Sequence, residues 1–296
     1  MSEDFDALAC LDWASRSPGK AKEYADDVYF REAAEDLLAT LPPGAAEPFC
    51  GRHALLVLKP DAVVTGRLTD ALEWLAGNEF RIAASAAIRF DRHTIRALWQ
   101  DSLVDASRDR VDLADEYMTA TDCLLLVVRH DDLSATASEI LRVRKGSPHP
   151  HDCRPGQLRY QLGSMNFQLN LVHAADDPAD LVRELGVLCD HRTRCGLVLT
   201  AVSGTEGLAA ARELVRVLEA SHAREDLSFD RLLDRLASRS PAGGALARAV
   251  GDIAAGRSRD WRGLLRLLGD GAVPITRWER IVLGTTLLEP YRSGRA

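Results

Sequence analysis

Two short polar segments each follow an apolar run that is typical of a buried strand. Lys59 directly follows residues 53–58. Asn170 lies near the end of residues 167–172, and His173 directly follows them. A neutral imidazole is a usable nucleophile near neutral pH, because the unperturbed pKa of histidine is about 6.5. A lysine ammonium is a compact point charge that suits phosphate groups. Each residue alone has an ordinary explanation, since a histidine or a lysine at a strand end is most often structural.

The stretch between these segments carries further cations. Residues 142–159 read R-V-R-K-G-S-P-H-P-H-D-C-R-P-G-Q-L-R, with Arg142 and Arg159 at the two ends. A guanidinium group binds phosphate oxygens through its planar fork of N–H donors. Arg142, Arg144 and Lys145 would equally fit a solvated helix end, where cations are favourable.

Together these segments resemble the nucleoside diphosphate kinases. In that family the first strand runs into K-P-D, as residues 59–61 do here. The family's loop reads R-x-x-x-G-x-T-x-P-x-x-x-x-P-G-T-I-R, and its phosphohistidine lies in N-x-x-H-G-S-D. The resemblance covers residues 51–192 and extends without a gap from the K-P-D segment to Trp99, where the family has an aromatic residue.

The resemblance implies a phosphotransferase that moves a phosphoryl group from a nucleoside triphosphate to a nucleotide acceptor. His173 would carry the group as phosphohistidine in a ping-pong scheme, and Glu184, eleven residues later, would hydrogen-bond its ring. The expected nucleotide and phosphate contacts are Lys59, Trp99, Arg142, Arg159 and Asn170, with Lys59 also in a catalytic role. Magnesium would arrive with the nucleotide, so no metal site on the protein is expected.

Three departures from the family pattern indicate altered surroundings for the nucleotide. Pro148 stands at the family's threonine, and Ala174-Ala175 replaces the Gly-Ser that follows the histidine. Residues 101–112 form a longer segment than in the family and leave the second base-bracketing aromatic unassigned. We therefore expect a specialised enzyme rather than a housekeeping one.

Two other functions remain open at this stage. One is a nucleotide-binding regulatory protein with weakened catalysis, because both replacements remove polar groups. The other is a protein whose helical terminal regions carry the function, with the central domain as a scaffold.

The predicted elements of the middle zone alternate as in a ferredoxin-like α+β fold, an antiparallel sheet with helices on one face. We predict strands at 53–58, 80–90, 122–129 and 167–172, and helices at 68–76, 93–100, 113–118, 133–143 and 178–189. Beyond residue 205 the pattern predicts five amphipathic helices, at 208–218, 229–236, 246–254, 261–268 and 278–288.

The chain divides by sequence into three parts. Residues 1–50 are expected to be a helical extension that ends in a Pro-rich linker at 41–48, residues 51–192 the kinase-like domain, and residues 193–296 a helical domain. Members of the resembled family are usually hexamers, sometimes tetramers. The added helices could cover the surfaces that the family uses for assembly. The sequence therefore leaves three states possible: a homo-oligomer like those of the family, a smaller homo-oligomer, or a monomer.

Composition narrows the classes of partner. The net charge of −7 gives no support for nucleic-acid binding, and no apolar run is long enough for a membrane span. Only four of the 37 basic residues are lysines, which suggests a bacterial coding bias. The acidic residues 1–6 argue against a secretory signal, and six scattered cysteines fit a reducing cytoplasm.

Two groups of metal-ligating residues stand close in sequence. They are His149, His151 and Cys153, and Cys189, His191 and Cys195. Neither has the paired spacing of a dependable zinc site, so the sequence alone predicts none.

Overall fold

The computed structural model describes residues 7–15, 17–205, 207–270 and 273–288. The acidic start, residues 1–6, lies outside the described residues. The central sheet has four antiparallel strands in the order β2-β3-β1-β4. They are β1 (His53–Leu58), β2 (Arg81–Ile88), β3 (Cys123–Arg129) and β4 (Val172–Ala174). This order confirms the predicted ferredoxin-like α+β fold.

The two central strands are apolar without alternation because both faces of the sheet are covered. All six residues of β1 are buried. Leu55 and Val57 belong to one apolar core, whereas Leu56 and Leu58 belong to a second core on the other face. In register, Leu55 lies opposite Val127 of β3.

The helices surround this sheet. In chain order they are α1 (Ala7–Ala14), α2 (Pro18–Ala25), α3 (Val28–Thr40), α4 (Ala46–Arg52), α5 (Pro60–Val64), α6 (Leu68–Gly77), α7 (Arg92–Leu98), α8 (Gln100–Val104), α9 (Arg108–Met118), α10 (Ala137–Lys145), α11 (Leu158–Leu162), α12 (Pro178–Leu188), α13 (His191–Val202), α14 (Leu208–Ala220), α15 (Phe229–Arg239), α16 (Ala245–Ala254), α17 (Trp261–Asp270) and α18 (Arg277–Leu287). The five predicted C-terminal helices are thus confirmed as α14 to α18.

The last strand was predicted wrongly at 167–172. The Asn166 side chain accepts hydrogen bonds from the backbone N–H groups of Gln168 and Leu169, at 3.0 and 2.8 Å, which turns the chain instead of extending it. Leu171 then adopts a positive φ of 69°. Pairing with β1 therefore starts only at Val172.

Other boundaries shift for local reasons. The helix predicted from 133 starts at Ala137, because Thr136 and Glu139 form a reciprocal capping box. The predicted linker at 41–48 contains the start of α4, whose first turn tolerates Pro48. The sequence prediction missed α13 altogether.

The N-terminal helices hold α12 in place. The Lys20 ammonium donates to Asp177 and Asp180 at 2.7 and 2.8 Å. Further along α12, the helix α3 lies so close that a Cβ on Gly186 would collide with the backbone carbonyl of Tyr29.

The C-terminal part covers the outer edge of the sheet. The Gly207 N–H donates to the Ile82 carbonyl of β2 at 2.8 Å, and α14 follows across the face of the strand. Among the described residues, no helix combines the length and apolar character needed to cross a membrane.

Candidate active site

The imidazole of His173 lines a cavity beside the sheet. His173 is the middle residue of β4 and pairs with Val57 of β1. Its Nε2 lies 2.9 Å from a carboxylate oxygen of Glu184, which α12 presents from behind the ring. The side chain keeps 19% of its surface exposed and lines the cavity.

Lys59 follows β1 and points to the same cavity. Its ammonium donates to Asn170 Oδ1 at 2.6 Å and to the Gln168 carbonyl at 2.8 Å. Burial disfavours the charged amine and lowers the pKa of Lys59 to about 8, although the nearby Asp61 carboxylate acts in the opposite direction.

Asp61, the third residue of the K-P-D segment, fixes the approach to β4. It is fully buried and accepts hydrogen bonds from the Tyr117 hydroxyl at 2.6 Å and from the Leu171 N–H at 2.9 Å. These bonds hold Leu171 in its positive-φ conformation, two residues before His173. Burial, followed by the charge of Asp61, raises the pKa of the Tyr117 hydroxyl, which stays a donor.

The two arginines of the loop have different surroundings. Arg159 is buried and donates to the main-chain carbonyls of Gly146 and Val172, each at 2.8 Å. Burial lowers the pKa of its guanidinium to about 10, so it stays charged at neutral pH. Arg142 is exposed near the end of α10, at the mouth of the site.

The cavity beside His173 has a volume of about 200 Å³. Of the predicted residues, it is lined by Lys59, Trp99, Arg159, Asn170 and His173. It shares Trp99, Pro148, Arg159 and His173 with a wider recess of about 620 Å³, which Arg142 also lines. The structure thus brings the predicted residues together, with Glu184 behind the ring.

Trp99 forms part of the wall at the junction of α7 and α8. Its ring stacks on Phe90 at 5.8 Å between centroids and meets His173 edge-on at 5.5 Å. One face of the indole is therefore covered by Phe90.

Lys145 differs from the expected solvated helix end. It is buried, and its ammonium donates to the Ala174 carbonyl at 3.0 Å and to Asp176 at 2.9 Å. Burial lowers the pKa of Lys145, opposed by the charge of Asp176. The lysine therefore secures the chain directly after His173.

The donors around the cavity suit phosphate oxygens better than a metal held by protein ligands alone. Asp61 is already bonded to Tyr117 and Leu171, and Asp176 is paired with Lys145.

Comparison with known proteins finds a family match for the part of the chain that contains this site. The family model described as nucleoside diphosphate kinase matches residues 52–193. These residues form a nucleoside diphosphate kinase-like domain. The remaining described segments are the helical regions on either side of it.

The similarity to individual nucleoside diphosphate kinases is low but extends over most of their length. The Thermococcus kodakarensis enzyme is 25% identical over 137 residues, which are 46% of this chain and 75% of that protein. The Campylobacter concisus enzyme is 26% identical over 150 residues, 49% of this chain and 99% of that protein.

Two solved structures were also compared with the chain. The Aquifex aeolicus nucleoside diphosphate kinase has 23% identity and a TM-score of 0.39, covering 46% of this chain and 93% of that one. The Borrelia burgdorferi enzyme, a transition-state mimic with bound vanadate and ADP, has 19% identity and a TM-score of 0.41, covering 47% and 87%.

Sequence reasoning missed three residues that shape the site of this nucleoside diphosphate kinase-like domain. They are Asp61, Tyr117 and Lys145. The K-P-D segment was a signal for Asp61, because an acidic residue beside a strand end needs a partner when it is buried. Nothing in the local pattern indicated the Tyr117 contact, which joins residues 56 positions apart.

Proposed function

We propose that this protein is a phosphotransferase of the nucleoside diphosphate kinase type, which transfers a phosphoryl group through His173. The observation that carries the proposal is the hydrogen bond between His173 Nε2 and Glu184, beside a cavity that Lys59 and Arg159 also line. Residues 51–192 would be the transfer unit, with residues 1–50 and 193–296 as helical extensions that support it.

The reaction would proceed in two displacements. With Nε2 held by Glu184, Nδ1 of His173 attacks the γ-phosphorus of a magnesium-bound nucleoside triphosphate. The bond to the bridging oxygen breaks, and the diphosphate leaves with that electron pair. A terminal oxygen of the acceptor then attacks the phosphorus, the N–P bond breaks, and the imidazole is restored.

The cationic residues would stabilise charge on the phosphoryl oxygens, which is the main requirement of this chemistry. Arg142 is exposed, whereas Arg159 and Lys59 are buried, and all three line the cavity or the adjoining recess. Asn170 positions the Lys59 ammonium through its side-chain oxygen.

The site supports a specialised acceptor rather than a general one. Pro148 lines the cavity and has no backbone N–H to offer a phosphate. Ala175 is fully buried, and its N–H donates to the Leu55 carbonyl at 3.3 Å, so this position provides no hydroxyl near His173.

A nucleotide-binding regulatory protein is the second candidate. Both terminal nitrogens of Arg159 already donate to main-chain carbonyls, and the Lys59 ammonium is also engaged. If these bonds persist when nucleotide binds, Arg159 and Lys59 hold the loop in position and do not stabilise a transferred phosphoryl group.

Labelling of the full chain with γ-labelled ATP and magnesium separates the two candidates. The transferase should acquire acid-labile, alkali-stable label that passes to nucleoside diphosphates. His173→Ala should abolish the label, whereas the control His151→Ala, at an exposed histidine of the nearby loop, should keep it. Nucleotide binding without label would support the regulatory candidate and exclude the transferase.

A cytoplasmic, bacterial setting is part of the proposal. Nucleoside triphosphates are abundant in the cytoplasm, and Cys50, Cys123, Cys153, Cys189 and Cys195 form no disulfide bonds.

A further inference from the structure

Three side chains with metal-ligating atoms meet where the N-terminal extension contacts α13. They are Asp36 of α3, and His191 and Cys195 of α13, and their ligand atoms all lie within 4.8 Å of one another. His191 and Cys195 are four residues apart on one helix, so they occupy the same face. Asp36 approaches that face from the neighbouring helix.

The separations bracket those of a zinc site. His191 Nδ1 lies 2.8 Å from Asp36 Oδ1 and 3.8 Å from Cys195 Sγ. Tetrahedral ligands at ordinary zinc bond lengths are about 3.5 Å apart. Small side-chain rotations would therefore admit an ion between the three atoms.

The second oxygen of the carboxylate is already held. Asp36 Oδ2 accepts a hydrogen bond from Arg194 Nε, and Arg194 also donates to the Cys189 carbonyl at 3.2 Å. This contact orients the carboxylate and leaves Oδ1 facing His191. Partners of this kind fix ligand geometry in metal sites.

We propose that Asp36, His191 and Cys195 bind a zinc ion with water as a fourth ligand. The combination of carboxylate, imidazole and thiolate suits zinc or cobalt and not magnesium or calcium, which prefer oxygen ligands alone. The His191 side chain is 73% exposed, so solvent has access to the open position.

The sequence grouping of His191 and Cys195 with Cys189 needs one correction. Cys189 is buried. Among the described residues, Asp36 is the third member of the cluster beside His191 and Cys195.

The ion would join the N-terminal extension to α13, the helix that follows α12. α3 belongs to the N-terminal extension and packs on α12, whereas α13 begins where the kinase-like domain ends. An ion bound only in the folded state stabilises that state in proportion to the logarithm of its concentration.

Cobalt titration of the reduced, metal-stripped full chain tests the site. One equivalent of Co²⁺ should produce thiolate-to-cobalt charge-transfer absorption, which Zn²⁺ then removes. Cys195→Ser should abolish the absorption and weaken zinc binding at least about tenfold. The matched control is Cys153→Ser, which removes the other partly exposed thiol and should leave the absorption unchanged.

The outcome is decisive in either direction. Absorption that is absent in the parent chain, or that survives in Cys195→Ser, would overturn the proposal. Thermal melting without metal, equal for parent and Cys195→Ser, establishes that the variant is folded. His191→Ala, at an exposed position, should lose the absorption as well.

Discussion

The ammonium group of Lys59 lies 2.6 Å from Asn170 Oδ1, in a buried position that also lowers the pKa of the amine to about 8. One side chain thus connects the end of β1 to the segment that leads into His173. It also makes the positive charge of the cavity sensitive to mildly alkaline pH.

We expect nucleotide affinity to fall as pH rises through about 8, because the amine proposed to face the nucleotide phosphates then loses its proton. Each further unit should raise the Kd by up to about tenfold. Lys59→Arg should remove this decline, since guanidinium stays charged. Calorimetric titration from pH 7 to 9.5 checks it, and an identical decline in Lys59→Arg would contradict it.

The lowered pKa of Lys59 does not itself destabilise the folded state at alkaline pH. The folded-state pKa of Lys59 lies below its ordinary value of 10.5, so the unfolded chain binds more protons between about 8 and 10.5. This residue alone therefore makes the folded state more stable as pH rises through that window.

Glu184→Gln should slow phosphorylation of His173 at least about tenfold, because an amide cannot stabilise positive charge on the ring. The Kd for nucleotide should change little, since Glu184 lies behind the imidazole. Rapid-quench labelling measures the rate. Glu79→Gln, at a glutamate whose side chain is 80% exposed, is the control and should match the parent.

We expect different effects from Arg142→Ala, which should change nucleotide binding alone, and Arg159→Ala, which should also change the stability of the fold. Arg142 is exposed, so its loss should weaken nucleotide binding without lowering the Tm. Arg159 joins Gly146 to Val172, so its loss should also lower stability, by about 1–3 kcal/mol. Thermal denaturation and nucleotide titration of both variants measure these effects. An equal fall in Tm for the two variants would contradict the prediction.

Gly186→Ala should destabilise the protein by about 1–3 kcal/mol, because the new methyl group would press against Tyr29 and force α3 away from α12. Gly196→Ala is the matched control within a neighbouring helix. No atom from outside its own helix lies within 4 Å of a Cβ there, so alanine should stabilise the folded state by about 0.5–1 kcal/mol. Chemical denaturation of both variants measures the difference, and similar values would contradict the close helix contact.

The strands of the sheet were predictable where burial on both faces produces continuous apolar runs. β3 was placed within one residue of its observed start because Cys123–Arg129 has no polar interruption before its end. The helix α13 was missed because its pattern is mixed. It buries Arg194 while exposing Leu199 and Val202, so no single apolar stripe identifies it.

The site residues came from motif spacing, which supplies residue types but not their partners. Spacing alone gave no indication that Lys145 would fold back beneath Ala174, since such contacts depend on how α10 meets β4. The bond from Tyr117 to Asp61 likewise arises only when distant segments are packed together.

The hydrogen bond from Gly207 to Ile82 has a consequence for self-association. A Cβ at Gly207 would lie 2.9 Å from that carbonyl, so the close approach depends on glycine. With this acceptor occupied from within the chain, strand addition from another molecule is blocked at that point. This contact therefore protects one backbone carbonyl of the edge strand β2.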